Sequence, residues 1–461
     1  MSTDGQAMAG FRKKMFYDLY SGIIPERFPI YDCATLDFMI QYAGKSPFEI
    51  VYNYDADTLY EIFEKNMEYY SGDTFGAAAR NPAGLMFKKS KVNVMSKSGM
   101  VQHPETSGFT ADEYDEFIAH PYDFSLEKIL PRLNPGFDMS RIHTSVNFTK
   151  YVLAQMDYLR ATGEATGRMA AKYGFFSAPR GSSAVQPIPF DFLADFCRGF
   201  IEVPVDIRRC PQKVIDACEA LVPYLMWRSV NPVTDVCGAN QIMTHMGTFL
   251  QKKDFEKFYW PTFFEMVHMI AERGQSCYLF CEDDWERYID YLQDLPQGTR
   301  LHFEYGNPKE FKDRLGSKMV IGGFYSVVDL KTGTPQKCVD KAKELVDIMA
   351  PGGNFEFRFD KSALRLGDIN IENHNALMSW LLDNASYENA GQQSRFGSRE
   401  DTIHKFSHKY PKFESKYIIS FDEWVKDYPP PVDKLEPYMR NAYEKYSATV
   451  QPYNDIYSLF G

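Results

Sequence analysis

No stretch of this 461-residue chain approaches the roughly 18 consecutive apolar residues of a membrane-spanning helix, so no membrane partner is expected. The first residues, MSTDGQAMAGFRKK, lack the apolar core of a secretory signal, and the expected location is cytoplasmic. Runs of Lys and Arg are missing too. With a net charge of −11 and a pI near 5.4, the chain has no basic stripe for a nucleic-acid groove. Cysteine is sparse: the eight residues at 33, 197, 210, 218, 237, 277, 281 and 338 make no dense disulfide framework, and free thiols are expected. Internal repeats, low-complexity blocks and a Gly-rich phosphate loop are also absent.

What is present suits a large globular body, with 44% hydrophobic and 25% charged residues. Aromatic residues reach 15%, with 36 Phe and 30 Tyr, which fits either a ring-lined pocket or an aromatic-rich core.

Residues 1–26 contain FRKKMFYDLYSG, read as an amphipathic helix covering one end of the body. Phe28 to Tyr31 reads as a short buried strand with Asp32 just beyond it, and Asp55 to Tyr70 as a helix with Leu59, Ile62, Phe63 and Met67 at helical spacing. Thr110 and Glu113 spell a capping box. Pro211 opens a helix whose apolar stripe, Val214, Cys218, Leu221, Val222 and Leu225, places Cys218 in the core. Short strands then alternate with helices over the rest of the body. Asn307, Pro308 and Glu310 start one helix, and Thr334 and Pro335 another. This rhythm argues for a parallel sheet closed into a barrel, spanning 27–386, with a polar, aromatic tail at 387–461 wrapping the barrel or a partner.

The chemistry concentrates in SCYLFCEDDWERYIDYLQDLPQGTRLHFEYGN, residues 276–307. Cys277, Leu279 and Cys281 share one face of its first strand, and His302 and Glu304 share one face of its second. Cys281, Glu282 and His302 offer thiolate, carboxylate and imidazole, which are ordinary zinc ligands, although buried core residues of those types are common. Asp283 reads instead as a helix cap, with Glu286 three residues on. Asp32, after the first strand, and His245, in a loop or helix start, are candidate general acids or bases. His374 in NIENHNALMSWLL is a weaker one. On the last strand, Phe355, Phe357 and Phe359 alternate with Glu356, Arg358 and Asp360. Charges inside a barrel need partners, so Glu356, Arg358 and Glu304 form either a structural ion network or a site in which Arg358 holds an anionic substrate group.

Several phrases together resemble the uroporphyrinogen decarboxylase superfamily, in its branch of corrinoid-linked methyltransferases. They are ADEYDEFIAHPYDF with ILPRL, PFDFLADFCRGF with DIRRCPQKV, FEKFYWP, CEDDWERYIDYLQDLP, KMVIGG, GTPQKCVDKAKELVD and IENHNAL, with FPIYDCATLDFMIQYAG extending the match to the first strand. The resemblance implies a (β/α)8 TIM barrel with its site at the strands' C-terminal ends. DCATLDFMIQYAG lacks the arginines that hold substrate carboxylates in true decarboxylases. LFCEDD and RFDKSALRLGD lack the His-x-Cys pair and final Cys of the methylcobamide-type enzymes. The branch acting on methyl ethers, the O-demethylases, is the more similar, with Cys281, Glu282 and His302 standing at its metal positions.

The resemblance therefore implies zinc, a corrinoid carried by a partner protein, and methyl transfer from a small, plausibly methoxylated aromatic, donor. Glu282 or His302 would assist the leaving group. Homodimers are common among such barrels. Two other expectations stand beside it. One is a lyase using Arg358 and Asp32, and the other is a non-catalytic binding relative.

Overall fold

Three stretches read above as parts of one barrel or its tail form a unit of their own: 82–154, 189–228 and 408–461. They do so in the computed structural model, which describes residues 3–76, 82–97, 101–395, 397–406 and 410–460. The second unit comprises 1–81, 155–188 and 229–407. This division cuts across the expected segments 1–26, 27–386 and 387–461, because helical periodicity shows that a helix has a buried face but not what it packs against. Among the described residues, no helix is long and apolar enough to cross a membrane.

The unit built on 82–154 is mainly helical and carries a two-stranded antiparallel pair, β1 (Val94–Met95) with β2 (Val101–Gln102). Its capping box forms as read, with Thr110 N–H donating to the Glu113 carboxylate at 3.0 Å. Helix Pro211–Arg228 buries Val214, Cys218, Leu221, Val222 and Leu225. Asp455 is held there by Arg228 at 2.8 Å.

In the other unit, β3 (Ala184–Val185), β4 (Asn240–Thr244), β5 (Cys277–Asp284), β6 (Arg300–Tyr305) and β7 (Val320–Gly323) form a parallel sheet in that order. The register pairs Tyr278 with Arg300, Phe280 with His302, Cys281 with Phe303, and Phe303 with Gly323. Tyr278, Phe280, Arg300 and His302 therefore share one face of the sheet, while Leu279, Cys281, Leu301 and Phe303 are buried on the other. Gly323 has φ +104°, and a Cβ there would fall 2.0 Å from the Phe303 carbonyl and 2.9 Å from His302 Cδ2. Only glycine fits beside His302 in that conformation.

Isolated parallel bridges continue the order: Ile321 with Phe355, Tyr325 with Phe359, Ile30 with Phe357, and Thr74 with Phe176. Asp73 N–H donates to the Ile30 carbonyl at 2.8 Å. Strand positions thus succeed one another as in a barrel, but among the described residues the regular ladder spans five strands and does not close into a ring. Of the expected (β/α)8 barrel, the structure shows a mixed α/β fold with a parallel five-stranded sheet. Pro29 cannot donate to a ladder, and the turn from Pro179 to Ser182, closed by a 3.0 Å bond, separates Phe176 from β3.

Helix α1 (Thr3–Tyr20) packs Met15, Phe16 and Leu19 into this unit and points Tyr20 inward from its last turn. Asp73 fixes the surrounding loops. Its buried carboxylate accepts from Arg12 at 3.0 Å, from Arg27 through both terminal guanidinium nitrogens, and from Ile30 N–H at 2.8 Å.

Candidate functional site

The side chains inside the sheet form a paired network. Glu356 and Arg358, two apart on a strand and so on one face, bond to each other at 2.7 Å, and Tyr20 donates to the second Glu356 oxygen at 2.9 Å. The Arg358 guanidinium lies 3.3 Å from the centre of the Tyr31 ring and 5.0 Å from that of Tyr278. Its charge is paired with Glu356 through Nε. Glu304 is engaged elsewhere, accepting from Asp283 N–H at 2.8 Å with Lys361 at 3.6 Å.

His302 has both ring nitrogens committed. A carbonyl can only accept, so Nε2 donates to Phe359 at 2.7 Å, and Nδ1 of the neutral ring accepts from the Tyr278 hydroxyl at 2.6 Å. Burial, reinforced by Arg358, lowers its pKa to about 3. Cys281 lies on the opposite face of the sheet, fully buried, where burial pushes its thiol well above its usual range. Cys281, Glu282 and His302 therefore do not form one donor set. Of the expected zinc ligands, Cys281 and His302 stand on opposed faces of their two strands in the observed register.

Beyond Cys281, a register irregularity lets the strand end bend. Asp283 there takes φ +63°, a conformation uncommon for any residue with a side chain. The N-cap of the helical turn that follows is Trp285, not Asp283, and the Asp284 carboxylate accepts from Glu286 N–H at 2.9 Å. Glu282 stays half-buried at the C-terminal end of β5, its carbonyl accepting from the Trp285 indole at 3.0 Å. His245 is half-buried immediately after β4.

A different cluster forms at the C-terminal end of the first strand position. Asp32, Cys33 and His374 place one ligand atom each within 4.8 Å of one another, and among the described residues they are the only such trio. Asp32 is oriented by N–H bonds from Ala34 at 3.1 Å and Ser71 at 3.3 Å. Gly72 makes room for it, since a Cβ would sit 3.1 Å from Asp32 N. His374 rides on helix Ile371–Asn384, whose first turn is capped by Asn370, with its ring beside Tyr69 and Phe359.

His374 Nε2 lies 3.3 Å from Asp32 Oδ2, yet neither ring nitrogen makes a hydrogen bond among the described residues. Buried imidazole nitrogens are normally satisfied, so this one is free to act as a donor atom. Burial, and then the Asp32 charge, push the Cys33 thiol well above its usual range, so it ionises only if a cation lies beside it. Carboxylate, thiol and imidazole are a chemically suitable zinc set, and three protein donors is the number that catalytic sites use.

Sequence alone points to Asp32, only weakly to His374, and not to Cys33. The available signal was the adjacent Asp-Cys pair directly after the first strand. In the helical unit, a cavity of about 860 Å³ is bordered by Glu116, Asp123, Glu127 and Lys416. None of the candidate residues lies there, and Lys416 and Glu127 pair with each other.

No protein-family model and no curated protein matches the chain. Among solved structures it is similar to a methyltransferase from Methanosarcina mazei, with a TM-score of 0.51 at 11% identity, covering 81% of this chain and 98% of that one. At that identity the likeness is one of fold.

Proposed function

We propose that this chain is a methyltransferase that passes a methyl group from a small methylated donor, a methoxylated aromatic in the first instance, to the cobalt of a corrinoid on a separate protein. The observation that carries the reading is the Asp32, Cys33 and His374 cluster at the end of a sheet where α/β barrels keep their chemistry. The fold likeness to a methyltransferase supports it. An ether or amine is a poor leaving group, so the departing heteroatom must be protonated or metal-bound as the methyl carbon is attacked. A zinc ion, when bound by the three residues, would supply Lewis acidity.

The chain's own groups do the rest. Asp32 is pre-oriented by two backbone N–H groups, His374 is held between rings, and half-buried Glu282 is the carboxyl assigned to protonate a departing oxygen. A lyase has less support, because Arg358 is bound to Glu356.

The test is zinc analysis of protein purified without chelator, paired with the absorbance of cob(I)alamin mixed with methylated donors. One zinc per chain, lost in folded Cys33→Ser and His374→Ala variants, with donor-dependent formation of methylcobalamin, is the expected result. Metal-free wild-type protein that leaves the cobalamin spectrum unchanged with ethers, amines and thiols would sink the proposal.

A further inference from the structure

At the opposite end of the sheet, where the strands begin, three arginines converge. Arg300, the first residue of β6, stacks its guanidinium 3.5 Å from the centre of the Tyr20 ring. It donates to the carbonyls of Val236 at 2.6 Å and of Cys237 and Gly238 at 3.0 Å. Arg395 donates to Leu19 at 3.1 Å and Tyr20 at 2.8 Å, the last carbonyls of α1. Arg399 donates to the Gln275 carbonyl. All of these partners are neutral.

Among the described residues, no carboxylate lies in ion-pair range of the three. Glu356, which shares Tyr20 with Arg300, is bound to Arg358, and exposed Glu400 is bonded to Ser398. Each guanidinium also keeps one buried N–H without a partner: Nε of Arg300, Nη1 of Arg395 and Nε of Arg399. Arg395 is only 7% exposed and Arg300 only 6%.

Burial, and then the charges of Arg300 and Arg399, lower the pKa of Arg395 to about 10, while burial and Arg300 lower that of Arg399. Arg395 and Arg399 border a cavity of about 310 Å³, with Tyr20, Ser276 and Gln297 around it. Gly22 and Gly298, at φ +80° and +81°, flank Arg395 so closely that a Cβ would approach its guanidinium nitrogens to 3.0 and 3.3 Å.

Burying a charge costs several kcal/mol unless it is paired. Carbonyl dipoles and the C-terminus of α1 offset part of that cost, but they satisfy neither the leftover N–H groups nor the mutual repulsion. We infer that this cavity is an anion site, in which Arg395 and Arg399, backed by Arg300, hold a phosphate-type oxyanion, either free or as the head of a phosphate ester. Guanidinium forks match such oxyanions in charge and geometry, and the volume admits the group with a short organic substituent. The site lies at the end of the sheet away from Asp32, so it is a structural or regulatory position separate from the proposed chemistry.

Calorimetric titration of the full-length chain with inorganic phosphate, and separately with glycerol 3-phosphate, tests this. The expected result is one saturable site per chain, weakened about tenfold or more when one charge-assisted bond is removed in Arg395→Gln or Arg399→Gln. Measuring both variants keeps the test valid if one of them does not fold. Tighter binding of the ester assigns the site to a phosphorylated metabolite, and equal binding assigns it to the free ion. Absence of saturable binding by either probe, or binding undiminished in the folded variants, overturns the inference.

Discussion

His302 makes the protein sensitive to acid in a calculable way. Its folded pKa is about 3, against about 6.5 for an unfolded histidine. Because the folded value is the lower one, the unfolded state binds the proton first. The contribution to stability is therefore complete above the unfolded pKa and is lost as pH falls toward the folded one. Linkage gives a loss of RT ln(1 + 10^(6.5 − pH)), which is negligible near pH 7.5 and about 2 kcal/mol near pH 5. Carboxylates also titrate in acid, so the quantity to read is a difference between proteins. His302→Gln keeps an N–H for the Phe359 carbonyl and an oxygen for the Tyr278 hydroxyl, but it does not titrate.

Hydrogen exchange of peptides from β5 and β6 gives the opening free energy of this region at each pH. The gap between wild type and His302→Gln should shift by about 2 kcal/mol over that interval, with wild type losing more. A gap that stays constant with pH, or an imidazole signal titrating near its ordinary value in the folded protein, would refute the reasoning.

Two further outcomes follow from the same unit. Asp73→Asn leaves Arg12 and Arg27 buried around a neutral group and should cost about 3–5 kcal/mol in urea unfolding; a loss below about 1 kcal/mol would show that the arginines find other partners. Gly323→Ala meets both the Phe303 carbonyl and an unfavourable φ, whereas Gly367→Ala, at φ +94°, meets nothing within 4 Å. Conformational strain costs about 1–3 kcal/mol at either position, so Gly323→Ala should lower the melting temperature clearly more than Gly367→Ala, and equal losses would count against the close packing at His302.

Rules that depend on near neighbours carried over from sequence to structure. Thr110 with Glu113, Asn307 with Lys309, and Thr334 with Lys337 cap helices as their spacing implies. Alternation also put Glu356 and Arg358 together, and helical spacing put Cys218 in the core. The site depended on longer relations. Alternation placed Cys281 on one face of β5 and His302 on one face of β6, but whether those faces coincide is decided by the pairing of Phe280 with His302, which neither strand states alone. Asp32, Cys33 and His374 meet only when the first strand and the helix after the last strand become neighbours. The Asp73 knot is hidden for the same reason, since Arg12, Arg27 and Asp73 share no local pattern.

The locked interior also limits where a reaction at the Asp32 end can obtain a proton. His302 is the imidazole buried in the network inside the sheet, and to relay a proton it would have to accept a second one. With a pKa of about 3, that costs about 5 kcal/mol at neutral pH. Its existing Nε2 proton is bound to the Phe359 carbonyl, and its Nδ1 already accepts from Tyr278, whose own pKa burial raises to about 12. Arg358 and Glu356 are an ion pair at 2.7 Å. His302 is therefore no proton relay at ordinary pH, and the carboxyl side chains at the C-terminal end of β5 are those of half-buried Glu282 and exposed Asp283 and Asp284. His302 therefore bears on stability and not on proton relay.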